Sequence, residues 1–153
     1  MKTITNFPNT VRVVEHVWIP LKDGIRLAAK MWIPEKAYNT PVPAILEYIP
    51  YRKRDFEAVP DSITHGYFAG YGYACVRVDL RGAGESEGVL KDEYLVQEQQ
   101  DGLEVLSWIA AQQWCSGAIG MMGISWGGFN ALQIAALQPP ELKAVITVCS
   151  TDD

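Results

Sequence analysis

The hydrophobic pattern changes period repeatedly along the chain, with strand signals alternating with helix signals. Val11 to Ile19 is rich in β-branched residues, and Ile25 to Ile33 reads as a second strand. Lys22-Asp23-Gly24 between them is a turn signal, so the pair predicts an antiparallel hairpin. Asn39 to Pro43 carries two prolines and predicts a connection before the short apolar strand Ala44 to Ile49. Asp61 or Ser62 can cap a helix running to about Ala69, which Gly70 and Gly72 end. Tyr73 to Leu80 predicts a strand bounded by Arg81-Gly82.

A glycine-rich, acidic loop reaches to Gly88, and a helix follows from about Tyr94 to Gln113. In it Gly102, Val105, Leu106 and Ile109 recur at i, i+3, i+4 and i+7, one face of a helix. Ala118 to Ile124 is a buried-type strand. Trp126 to Gln138 is a helix apolar nearly all round, stopped by Pro139-Pro140. Leu142 to Cys149 is a last strand whose apolar run, Ala144 to Val148, predicts cover on both faces, as in a parallel sheet. The alternation is an α/β pattern.

Length and composition narrow the function classes. A chain of 153 residues is one ordinary domain, able to bury a core without disulfides or metal. An apolar share of 48% excludes general disorder. The formal net charge of −5 argues against a nucleic-acid surface, which needs clustered cations. The one dense basic run, Arg52-Lys53-Arg54, reads as a solvated face. Cys75, Cys115 and Cys149 are widely spaced and odd in number, without a CxxC pair, so no structural zinc or other metal is expected. The first ten residues lack an apolar signal segment, and no run of 18 apolar residues could span a membrane. The expected compartment is a reducing cytoplasm.

The sharpest chemical feature is Gly123-Ile124-Ser125-Trp126-Gly127, a GxSxG where a strand ends and a helix begins. Average Gly and Ser usage gives such a motif by chance in roughly one chain of this length in twenty, and the strand-helix context makes it rarer still. The chemistry needs that context. A serine hydroxyl is a weak nucleophile that must be presented to a base without steric cover. Glycines at minus two and plus two let strand and helix approach closely. The amide after the serine then lies at a helix N-terminus, where it can stabilise an oxyanion.

Other features carry less. Gly82-Ala83-Gly84 with Gly88 faintly resembles a dinucleotide fingerprint, but Glu85 and Glu87 would repel a pyrophosphate and the helix begins too late, so no cofactor is expected. His16, in the first strand, and His65, in the first helix, read as structural or surface groups.

The separated pieces LKDGIRLAAKMWIP, PAILEYIPYRKRD, GYACVRVDLRGAGESEG and the stretch from WIAAQQWCSG through GISWGG to VCSTDD occur in a fixed order. In this the chain resembles the α/β-hydrolases related to X-Pro dipeptidyl-peptidases and cocaine esterase, from about Val11 to Asp153. The resemblance implies an α/β-hydrolase fold and an acyl-transfer serine hydrolase acting on small-molecule esters or peptides. It implies Ser125 as nucleophile and an oxyanion hole built from the Trp126 backbone N–H and the Tyr51 hydroxyl. Relatives commonly carry tyrosine where Trp126 stands, which bears on pocket shape rather than on a backbone role.

In such hydrolases the acid and the histidine follow the serine in the chain. No histidine follows Ser125. Asp152 and Asp153 follow the last strand, but in this family the acid comes after the next one, so neither is assigned. Residues 1–153 are therefore expected to be the N-terminal part of a hydrolase domain whose cap, remaining core and C-terminal β-sandwich lie elsewhere. This part alone is expected to be inactive, with the missing C-terminal part as its possible partner. The alternative is a non-catalytic fold fragment or partner subunit.

Overall fold

The structure is a computed structural model describing residue 4 and residues 6–151. The N-terminal hairpin forms as expected. β1 (Val11–Pro20) pairs antiparallel with β2 (Arg26–Pro34), with an irregularity between Val14 and Val17. A 3₁₀ turn, Glu35–Tyr38, leads to β3 (Val42–Ile49). There follow α1 (Ala58–Gly70), β4 (Ala74–Asp79), α2 (Val96–Ala110), β5 (Cys115–Ile124), α3 (Trp126–Ala136) and β6 (Leu142–Val148).

Six strands form one sheet in the order β1-β2-β4-β3-β5-β6. The β4-β3-β5-β6 portion is parallel, while β2 meets β4 antiparallel. From β3 the chain crosses to β4 on one side, then back over β3 to β5 on the other. Right-handed crossovers in opposite directions place their helices on opposite faces. Accordingly α1 packs on β2 and β4, whereas α2 and α3 pack on β3, β5 and each other. The strand order reverses around β3, and the carboxyl ends of strands at such a reversal are where open α/β sheets hold ligands.

The α2 stripe is buried as its periodicity predicts: Val105, Leu106 and Ile109 are fully covered. Each contributes roughly 1.5–3 kcal/mol by burial. They pack with Leu46, Val76, Ile119 and Met121 of the sheet and Ile134 of α3. Gly102 permits this approach, because a Cβ there would lie 2.4 Å from Ile134.

Three expectations need correction. The first helix starts at Ala58, with Asp61 and Ser62 inside it. Pro60 is tolerated because amides in a first turn have no intrahelical acceptor. The second helix starts at Val96, after Tyr94 at φ 60°, and ends at Ala110. The last strand is covered on one face only. Val145 packs on the core, while the alternate residues Ala144, Ile146 and Val148 are exposed. No helix among the described residues is long and apolar enough to cross a membrane.

Ile146 is 63% exposed on an open edge strand, a site for edge-to-edge association. Ile146→Lys is expected to lower self-association in light scattering. Its urea midpoint should correspond to a stability within about 0.5 kcal/mol of wild type.

Candidate active site

β5 and α3 are joined by a single residue, Ser125, at φ 52° and ψ −118°. A non-glycine residue in this region is strained, at a cost of order 1–3 kcal/mol. The surroundings enforce it. The Ser125 amide donates to the Val148 carbonyl of β6 at 2.8 Å. The Ser125 carbonyl accepts from the amides of Gly128 at 2.9 Å and Phe129 at 3.0 Å. Contact requires glycine at 123, where the neighbour is backbone, whereas at 127 a Cβ would press on a side-chain tip. A Cβ on Gly123 would lie 2.3 Å from the Gly127 carbonyl carbon, and one on Gly127 would lie 3.0 Å from Ile49 of β3. Ser125 itself is half-buried at the turn.

Trp126 is the first residue of α3, so its amide belongs to the helix N-terminus. Its indole donates to the Glu98 carboxylate. Its ring lies 5.4 Å from that of Tyr94, which also packs on Phe129 at 4.9 Å. Glu98 is buried, accepts the Tyr94 amide at 3.0 Å, and is raised above the usual carboxylate range. Burial raises it, while hydrogen bonds from Trp126, Asn130 and the Tyr94 amide oppose the rise.

Tyr51 is half-buried in the loop after β3. β3 and β5 are parallel neighbours, pairing Leu46 with Met121, so they end side by side. Tyr51 and Ser125 thus follow the carboxyl ends of adjacent parallel strands. Tyr94, in contact with Trp126, lies within electrostatic reach of Tyr51. The three sequence-predicted positions share one rim. Asn130 fastens that rim from below, its side chain donating to the Tyr48 carbonyl at 3.2 Å.

The basic run departs from expectation. Arg52, at φ 60°, pairs with Asp55 in solvent, but Lys53 is 1% exposed. Its ammonium pairs with Glu85, and its amide donates to Asp79 Oδ1 at 2.7 Å. The other oxygen of Asp79 accepts the Glu85 amide at 3.1 Å. Asp79, at the end of β4, therefore holds the loop after β3 and the glycine-rich loop together. Burial raises its carboxyl, and these two amides pull it back. Gly84 is obligatory here, since a Cβ would lie 2.2 Å from the Asp79 carboxylate.

Neither histidine reaches Ser125. His16 is on β1, four strands from β5, or roughly 19 Å at ordinary strand spacing. It pairs with Glu85 at 3.5 Å and lies edge-on to Trp18. His65, in α1, is fully buried against the sheet, 3.1 Å from Glu47 and 3.8 Å from Asp61. Arg77 completes that cluster, 3.2 Å from Glu47 and 3.5 Å from Asp61. Glu47, Asp61 and His65 are close enough to ligate one ion. The guanidinium among them already supplies the compensating charge, so the group is an ion-pair cluster joining α1 to the sheet. Burial raises Glu47, but the His65 hydrogen bond and the Arg77 charge hold it below its usual value. Burial dominates at Asp61, pushing it up to about 6.

The profile of the X-Pro dipeptidyl-peptidase (S15) family matches residues 23–153. The chain belongs to that family. It is 36% identical over 142 residues to cocaine esterase of Rhodococcus sp. strain MB1 Bresler, covering 92% of this chain and 24% of that protein. It is 26% identical to a putative Xaa-Pro dipeptidyl-peptidase of Streptomyces avermitilis, covering 95% of this chain and 27% of that one. Among solved structures, a CocE/NonD family hydrolase of Staphylococcus aureus matches with a TM-score of 0.77 and 27% identity, over 88% of this chain and 27% of that chain. The S15 chain described here thus has the α/β-hydrolase fold and spans about a quarter of the length of the curated relatives it matches. The resemblance drawn from the separated motifs is borne out, and the family includes both esterases and peptidases.

Two outcomes test this anatomy. Gly123→Ala is expected to destabilise the chain by about 3 kcal/mol or more in urea unfolding, because backbone rather than a side chain must move. Asp61 should show a pH signature. Its folded value lies above the unfolded one, so its contribution is fully present below about 3.8 and is lost as pH rises through about 6. Asp61→Asn lacks that titration. The stability of wild type minus that of the variant should therefore fall as pH rises across this window.

Proposed function

We propose that Ser125 is the nucleophile of a serine hydrolase that cleaves small-molecule esters or peptide bonds through an acyl-enzyme. The observation that carries this reading is the strained Ser125 turn, held by the Val148 carbonyl and by Gly123, where a Cβ would meet backbone. Strain of this kind is kept where the surroundings over-determine it, and such places are commonly functional. Ser125 Oγ would attack the acyl carbonyl carbon, and the carbonyl oxygen would become an oxyanion. The Trp126 amide and the Tyr51 hydroxyl would donate to that oxygen. Breakdown of the tetrahedral species would expel the alcohol or amine, and water would then release the acid.

The proton of Ser125 needs a base. His16 and His65 are held elsewhere, so the base and its acid partner come from polypeptide beyond these residues. Asp152 and Asp153 lie outside the described residues. We read the chain as the N-terminal part of the hydrolase domain. The one-sided cover of β6 supports this, as does the apolar hollow of about 460 Å³ over Ala44, Ile45, Met122 and Ile146. So does the share of the relatives that is matched. Three free cysteines, two of them buried, fit a reducing cytoplasm.

Hydrolysis of p-nitrophenyl butyrate tests the assignment. The chain alone is expected to match its Ser125→Ala variant. A polypeptide continued from the same coding frame through a downstream Asp and His should turn over, and Ser125→Ala should reduce its kcat by about 10⁴-fold or more. Activity that survives Ser125→Ala in the longer polypeptide would refute the nucleophile. A frame that stops at Asp153, with a cooperatively folding and inert product, would favour a non-catalytic subunit.

A further inference from the structure

We infer that Lys53, through the ion pair of its enclosed ammonium with Glu85 and its amide bond to Asp79, is the positioning residue that sets the Tyr51 hydroxyl for the oxyanion. This rests on the role proposed above for Tyr51. An oxyanion donor acts only when it lies about 2.7–3.1 Å from the developing charge. A tyrosine has only two side-chain torsions, so its hydroxyl largely follows its backbone. The backbone at Tyr51 is in a loop between β3 and α1, and loops are ordinarily the mobile parts of a fold. Something must hold it to a few tenths of an ångström.

Lys53 is the one residue of the basic run that is enclosed. Its side chain has no solvent exposure, whereas those of Arg52 and Arg54 are more than half exposed. Enclosing an ammonium is costly unless it is paired and hydrogen-bonded. Here it faces Glu85 and lies 3.4 Å from His16 Nδ1. Arg54 at 2.8 Å and His16 at 3.5 Å also pair with Glu85, which keeps that carboxylate in place. The neighbouring Asp79 carboxylate accepts one amide from each loop, Lys53 at 2.7 Å and Glu85 at 3.1 Å. Two fastenings, one of side chains and one of backbone, therefore act on the same residue, two positions from Tyr51. Arg52 between them takes a left-handed conformation, φ 60°, that a free loop would relax. The arrangement is far more fixing than a solvated loop requires, and the residue it fixes sits beside the proposed oxyanion donor.

The test reads the reaction of Ser125 with an alkyl fluorophosphonate, with imidazole as external base and labelling mapped by mass spectrometry. The serine oxygen bonds to phosphorus, fluoride leaves, imidazole takes the proton, and the phosphoryl oxygen occupies the oxyanion position. Tyr51→Phe should slow labelling by about 10². Lys53→Met should slow it about tenfold when Tyr51 is present and less than twofold in the Tyr51→Phe background, since coupled residues are non-additive. Glu85→Gln alters the half-exposed partner and serves if Lys53→Met does not fold. It should slow labelling about threefold, again only with Tyr51 present. Equal slowing in both backgrounds, or none in either, overturns the inference while the Tyr51 effect stands. No effect of Tyr51→Phe overturns the role of Tyr51 and the inference with it.

Discussion

The close passage of β5 against the start of α3 is the constraint on which the rest of the molecule depends. Gly123 and Gly127 meet backbone to backbone, at a separation that leaves no room for a methyl group. That contact bends the chain through one residue and forces Ser125 to a positive φ. The strain is not relieved by relaxation because three hydrogen bonds hold the turn, one to β6 and two within α3. The topology sets the location. Reversal of strand order around β3 brings the loop after β3 beside the turn after β5.

Around this rim, acidic side chains act as fasteners. Asp79 joins two loops through its two oxygens, Glu98 joins α2 to the indole of Trp126, and Asp101 holds Arg81 through two hydrogen bonds of 2.7 and 2.8 Å. Each is buried. A buried carboxylate with several donors is stiff, because every displacement leaves charge unpaired. The rim is therefore built from short-range electrostatics above the apolar packing of α2 and α3 on the sheet, two materials with different tolerances. The core accepts volume-conserving exchange, whereas the fasteners are sensitive to the loss of single atoms.

Much of this was legible in the sequence, and the rest failed for identifiable reasons. The α2 stripe and the strand-turn-helix at Ser125 depend on local spacing, which a linear sequence displays. Asp61 looked like a helix cap because acidic residues favour that place, yet its partner is Arg77, on a strand beyond the helix. Lys53 looked solvated because three adjacent cations in a loop usually are. Its burial depends on Asp79 and Glu85, brought close only by the sheet. The burial of Glu98 has a sign in the sequence. Glu98 and Asp101 continue the apolar stripe of α2 backwards by i−3 and i−4 steps, so two carboxylates stand on a face that must be buried.

The bond from the Ser125 amide to Val148 has a consequence for dissection of the protein. The tight turn is completed by the neighbouring strand, not by the segment in which it is encoded. Just beyond it, the Ser150 side chain packs beside Gly128. A split-protein design that divided the polypeptide between α3 and β6 would separate the serine from the carbonyl that fastens it, and the half carrying the motif would lose its bend. A portable unit that preserves the bend has to run at least through Val148.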